Sequence, residues 1–182
     1  MDGPFYVDSR PPYLSASYPS VTLSTTYKAL MPKAAYPKLG PNYFGWVGKA
    51  VRLSIFGTLT TGATPGNIFT ALFWGDGTDA NGTQLNNNLG ASGQTGYTNQ
   101  HFAITLVVRC RAIGGSGVGT LIVTGYHFQD TWGFQTWPSG GNAIATTTVD
   151  LSLDNILNFQ MNRSGSTAES AQVHDFIFEA LN

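Results

Sequence analysis

Charge is scarce in this chain. Asp, Glu, Lys and Arg make up 10% of its 182 residues, where an average soluble domain carries about 25%. Nine basic and ten acidic residues leave a net charge of −1. That balance argues against a free nucleic-acid binder and against a charged membrane-surface protein, since both work through concentrated charge. Cysteine is nearly absent too: Cys110 stands alone, so an intrachain disulfide and a multi-cysteine metal site are both excluded. No apolar run approaches the ~20 residues that cross a bilayer. The start, Met1-Asp2-Gly3-Pro4-Phe5, lacks the basic and apolar regions of a secretory signal, so synthesis in a reducing cytoplasm is expected.

What is present is apolar and aromatic. Hydrophobic residues reach 42% and aromatics 13%, enough for one domain with a real core and too much for a disordered polyampholyte. Gly, Ser, Thr and Asn fill the polar positions. Such a surface suits a protein packed against copies or partners, although an ordinary β protein with an uncharged surface has the same composition.

Proline divides the chain. Seven of the nine prolines fall in residues 1–48, interleaved with Tyr6, Tyr13, Tyr18, Tyr27, Tyr36 and Tyr43. Proline every few residues forbids a long helix and removes ladder donors, leaving extended chain. Tyrosine adds stiff contact area with a polar tip. Residues 1–44 therefore read as an extended arm. Tyr13, Tyr18, Tyr27 and Tyr36 are its expected anchors, and Arg10, Lys28, Lys33 and Lys38 are the cations that would meet an acidic partner. Charge follows the same division: residues 1–52 hold six basic and two acidic residues, the remainder three and eight.

From residue 45 to 182 a period of two takes over, the mark of half-buried strands. Val51, Leu53, Ile55, Gly57 and Leu59 alternate with Arg52, Ser54, Phe56, Thr58 and Thr60. Phe102, Ile104, Leu106, Val108 and Cys110 alternate with Ala103, Thr105, Val107 and Arg109. Gly-rich turns separate about eight such strands, with no amphipathic helix and no repeat of fixed period. The expected fold is all-β, a jelly-roll β-sandwich preceded by the arm.

Motifs for chemistry are weak. Gly115 to Gly119 lies between two strands and reads as a hairpin turn, not a phosphate loop. His101, His127 and His174 are scattered without zinc spacing; strand-surface positions, with one at a subunit contact, are expected. Asp76 to Gly82 lacks the terminal acid of an EF-hand and reads as turn chemistry, with an irregular calcium site as the alternative. Trp132, Phe134 and Trp137 form an aromatic loop suited to anchoring a partner or to lining a sugar site. No catalytic residue, cofactor or metal ligand is nominated.

Six stretches carry a resemblance. Asn42 to Leu53 (NYFGWVGKAVRL), Gly57 to Gly66 (GTLTTGATPG) and Phe73 to Gly77 (FWGDG) resemble structural proteins of tailed-bacteriophage virions. Met161 to Glu169 (MNRSGSTAE), Val173 to Asp175 and Glu179 to Asn182 are similar to the same family. The resemblance spans residues 42–182 and implies a small jelly roll, expected as a homotrimer, serving as a capsid decoration, cement or minor capsid protein in the virion. It brings no catalytic residue. Its implied partners are the major capsid protein, or another virion protein, and copies of itself, without nucleic acid or membrane. A tail or baseplate component and a carbohydrate-binding receptor module are the alternatives.

Overall fold

The computed structural model describes residues 18–92, 96–130, 133–137, 145–165 and 168–181. These form β1 (Val21–Thr22), β2 (Lys28–Ala29), β3 (Lys38–Leu39), β4 (Ala50–Thr60), β5 (Asn67–Gly75) and β6 (Thr83–Ser92). After them come β7 (Gln100–Ile113), β8 (Val118–Gln129), β9 (Gly133–Trp137), β10 (Thr146–Asp150), β11 (Asn155–Arg163) and β12 (Ser170–Ala180). Every pairing is antiparallel. The larger sheet runs β1-β12-β4-β7-β8-β10, with β9 on the other stretch of β8; the smaller runs β2-β11-β5-β6, with β3 also on β11. The chain is an all-β jelly-roll sandwich.

Alternation decides which side chains meet between the sheets. On β4, Val51, Leu53, Ile55 and Leu59 are buried, and on β7 so are Phe102, Ile104, Leu106, Val108 and Cys110, as the period of two predicts. They share one core with Ile68, Leu72 and Trp74 of β5 and Leu157, Phe159 and Met161 of β11. Gly57 sits in the inward row of β4 because nothing larger fits. A Cβ there would stand 2.3 Å from the Gln172 carbonyl oxygen and 2.5 Å from the Phe102 ring.

The strand count exceeds the expected eight, because β9 was read as part of a Trp/Gly loop and three two-residue strands lie in the supposed arm. That arm is the main correction. Residues 18–44, largely extended but with a 3-10 turn at Lys33–Ala35, run over their own sandwich instead of away from it. Leu23, Leu30, Met31, Leu39 and Phe44 enter the common core. β1 pairs β12, while β2 and β3 both pair β11. The physical reason is that short apolar positions between prolines bury more surface on the nearest sheet than they leave exposed.

The Asp76–Gly82 loop is equally drawn in, over the outer face of the smaller sheet. Asn158 Nδ2 and Gln160 Nε2 donate to the Thr78 carbonyl at 3.2 and 3.0 Å, and the Ala80 N–H donates to Gln160 Oε1 at 2.8 Å. Asp76 accepts from the Thr78 N–H and hydroxyl and from Asn81 Nδ2, which holds its carboxyl below the usual range. Both oxygens thus serve the turn itself.

Candidate functional site

The positions singled out from sequence divide sharply. Arg10, Tyr13 and Trp132 lie outside the described residues. Tyr18 and Tyr36 are buried and cannot anchor a partner. The Tyr36 hydroxyl donates to the Phe159 carbonyl at 3.0 Å, and its ring meets Phe176 edge-on with centroids 5.7 Å apart. Tyr27 packs edge-on against Phe73 at 5.3 Å. Lys28 pairs with Asp79 at 2.8 Å, and Lys38 pairs with Asp154. Lys33 is exposed, and its charge helps lower the Asp76 carboxyl. The basic segment therefore finds acids on its own body, as the uneven charge distribution allowed but did not specify.

The aromatic loop is also split. Residues 133–137 form a strand, so their side chains alternate between faces. Phe134 points outward and is 64% exposed, whereas Trp137 points into the core and is 2% exposed. Trp137 is thus not available to line a surface site.

The histidines separate in the same way. His101 is exposed beside Asp130 at 3.4 Å, and His174 shares a hydrogen bond with Thr58 Oγ1 at 3.0 Å. His127 departs from the expected surface position. It lies on the inward row of β8, opposite Ile104 and Gln135, and burial depresses its pKa to about 4. Above pH 6.5 it is neutral whether folded or unfolded. Between pH 6.5 and 4 the unfolded chain takes up a proton that the folded chain refuses, so stability falls as pH falls. The loss approaches ~1.4 kcal/mol per pH unit and totals about 3 kcal/mol by pH 4. Urea midpoints measured at pH 7 and pH 4.5 should show this drop, with His127→Phe removing most of the difference. An equal pH dependence in the variant would reject the assignment.

The outer face of the larger sheet carries a cluster of which the sequence pointed to Phe134 alone. The outward register there should be polar, yet Phe56, Tyr126, Phe128, Phe134 and Ile177 stand on it, all substantially exposed. Strand register places them together. Asp175, Phe56, Ala103, Phe128 and Phe134 form one row, and Ile177, Ser54, Thr105, Tyr126 and Thr136 the next. Tyr126 and Phe134 stack, with centroids 5.2 Å apart and planes 26° from parallel. At roughly 200 Å² per aromatic side chain, the patch exposes on the order of 450 Å², within the range of the largest patches on monomers, which are often functional. The clue in the sequence was parity: Phe56 shares its register with Arg52, Ser54 and Thr58, and Ile177 stands between Asp175 and Glu179.

A second apolar surface lies at one end of the sandwich, where three loops meet. Asn42 N–H donates to the Leu151 carbonyl and Leu151 N–H to that of Gly117. These contacts gather the loops carrying Trp46, Val47, Ile113, Val118 and Leu153, all exposed. Lys49 is buried beneath Trp46, its Nζ 4.0 Å from that ring centre and 4.2 Å from that of Tyr43. Burial lowers its pKa, and the ring faces supply cation–π attraction. Among the described residues, no group of three or more His, Cys, Asp or Glu side chains is arranged to hold a metal ion.

No family model and no curated protein matches the chain. Among solved structures it is similar to peanut lectin with a nine-residue peptide, at 9% identity and a TM-score of 0.37, over 87% of this chain and 84% of that one. It is also similar to lectin I-B4 from Griffonia simplicifolia in its metal-free form, at 8% identity and 0.38, over 90% and 93%. A legume lectin-like domain from Entamoeba histolytica aligns at 8% identity and 0.26, over 92% and 98%. At such scores and identities none of them bears on what this chain binds.

Proposed function

We propose that this chain is a structural protein of a virion, a capsid decoration or minor capsid protein that works by docking and not by catalysis. The observation that carries the reading is the gathering of Phe56, Tyr126, Phe128, Phe134 and Ile177 on one sheet face. Large exposed aromatics at the centre of a patch are the residues that dominate interface energetics. The apolar loop end with Trp46, Val47 and Leu153 supplies a second contact, and a protein that both binds a shell and meets its own copies needs two. The resemblance of residues 42–182 to tailed-bacteriophage virion proteins supports the same conclusion. Tyr18, Tyr36, Lys28 and Lys38 are engaged within the molecule, so docking passes to the sandwich itself.

Particles of the virus encoding the chain test this by gradient sedimentation. The chain is expected to travel with the particles, and Tyr126→Ser with Phe134→Ser should lower the bound fraction at least tenfold, as loss of two interface anchors does. A chain that stays at the top of the gradient overturns the reading. The stacked Tyr126–Phe134 pair on a flat sheet also favours a second reading, a carbohydrate-binding module in which a sugar ring lies on the aromatic pair. Glycan-array binding that the same double variant abolishes, without particle association, would favour it.

A further inference from the structure

The loop end of the sandwich carries charge as well as apolar surface. Trp46, Val47, Ile113, Val118 and Leu153 are joined there by Leu181, also exposed, whose N–H donates to the Ala50 carbonyl at 3.0 Å. These tips extend the neighbouring strand ends of β12, β4, β7, β8 and β10, which at ~4.8 Å per strand spreads them over ~19 Å. Beside them stand Arg109 and Arg111, both exposed. Arg109 faces outward between Ala50 and Ile122. Arg111 is the extra residue where the register of β7 shifts between Cys110 and Ala112, a bulge of the kind that re-aims a side chain. The Gly48 N–H donates to the Cys110 carbonyl at 2.9 Å, which ties the turn carrying Trp46 and Val47 to the strand carrying both arginines.

These arginines differ from the other cations of the body. Lys28 pairs with Asp79, Lys38 with Asp154, Arg52 with Glu179 and Arg163 with Glu169. Among the described residues, Arg109 and Arg111 pair with no acid, and Lys49 is held by the Trp46 and Tyr43 rings. The segments that form the tips contain one acid without a cation, Asp150, which accepts from the Ser152 N–H and hydroxyl. Positive charge is therefore in excess at this end. Lys28 and Lys38 are spent on the molecule's own acids, so the free cations of the chain's surface lie here instead.

That excess selects the neighbour. Two such ends set against each other would bring arginine toward arginine, which disfavours a contact between like ends of two copies. Two arginines fall short of the cluster of about four to eight basic residues that marks binding to anionic lipid. They suit carboxylates, which a guanidinium meets through two parallel hydrogen bonds. An apolar centre containing Trp with Arg at its edge is also the composition of protein interfaces.

We propose that the loop end is the surface turned toward the shell, with Trp46, Val47 and Leu153 packed on the shell protein and Arg109 and Arg111 on carboxylates of an acidic patch around them. This names the partner of the second contact and rests on the docking function proposed above. It leaves the aromatic face to copies, whose mutual hold strengthens attachment through multivalency.

The test adds the full chain to particles that lack it and measures the bound fraction by gradient sedimentation. Binding should weaken at least tenfold between about 0.05 M and 0.5 M NaCl, as screening of a charge contact requires. At the lower salt, Arg109→Glu with Arg111→Glu should weaken it at least tenfold. Both side chains are exposed, and an unchanged circular-dichroism spectrum certifies the fold. Light scattering should give the variant and the wild type the same oligomeric state. Salt-independent binding of the wild type, or an equally bound variant, overturns this partner and leaves the docking function standing. A variant that changes oligomeric state also overturns it, because the end would then join copies. So does wild-type binding to vesicles of about 70% phosphatidylcholine and 30% phosphatidylglycerol that the variant loses, since lipid would then be the occupant. A wild-type chain left at the top of the gradient at both salts overturns the docking function, and this partner with it.

Discussion

Replacing Arg163 by alanine is expected to destabilise the fold by about 3–5 kcal/mol, the cost of leaving a buried charge without its partner. Glu169 is fully buried, and its Oε2 lies 3.1 Å from Arg163 Nε. The same guanidinium donates to the Leu23 carbonyl at 2.8 Å and to the carbonyl of Gly165. One side chain therefore neutralises an interior carboxylate and fastens the N-terminal segment to the end of β11. The Leu23 N–H donates in turn to the Glu169 carbonyl at 2.8 Å. Glu169→Gln should cost less, about 1–2 kcal/mol, because it removes the buried charge while keeping an oxygen for the Gly66 N–H. Urea unfolding at pH 7 separates the cases. A loss below ~1 kcal/mol in Arg163→Ala would show that the pair does not hold this junction.

Tyr36→Ala should be nearly as damaging, at about 3–5 kcal/mol, since it empties a large buried volume. The ring is 5% exposed and lies against Phe176. Tyr36→Phe keeps the volume and loses one buried hydrogen bond, to the Phe159 carbonyl, for about 1 kcal/mol. This pair of variants bears directly on the arm. If residues 18–44 were free to grip another molecule, Tyr36→Ala would leave the unfolding midpoint where it is and weaken only a complex. Packed as it is, the residue belongs to the cooperative core, and the shift should appear in the isolated chain at unchanged denaturant slope.

Stability and the proposed docking thus fall to different aromatics. Tyr36, Phe44 and Phe159 are inside, and their loss unfolds the sandwich. Phe134 and Tyr126 are outside, where substitution should stay within about 0.5 kcal/mol and alter association alone. The sequence motif Met161 to Glu169 belongs to the first group. Asn162 Nδ2 donates to the Thr25 carbonyl, and Ser164 Oγ accepts from the Asn67 N–H, so this stretch ties three parts of the chain together.

The backbone plan was readable wherever burial imposes a period. On β4 and β7 each inward position was identifiable, because a strand with one buried face must alternate. β9 was not, since five residues between Gly133 and Trp137 are too few to establish a period against Trp/Gly turn signals. β6 was obscured by Asn86, Asn87 and Asn88, poor strand formers that pair with β5 because a neighbouring ladder offers their backbone its partners.

Scarce charge, the single cysteine and the alternation of apolar residues were enough by themselves to specify an all-β sandwich without disulfides. Those features act locally or through the whole composition, and each is visible along the chain. Which surface the proline–tyrosine segment covers was decided only in three dimensions. Tyrosine offers the same stiff, polar-tipped contact to its own sheet as to a partner's, so Tyr36 found Phe159 and Phe176 across more than a hundred residues. The outward aromatics obey the same logic in reverse. Their parity was legible, but only the register of β12, β4, β7, β8 and β9 brought Ile177, Phe56, Tyr126, Phe128 and Phe134 onto one face, because contact between strands depends on topology and not on distance along the sequence.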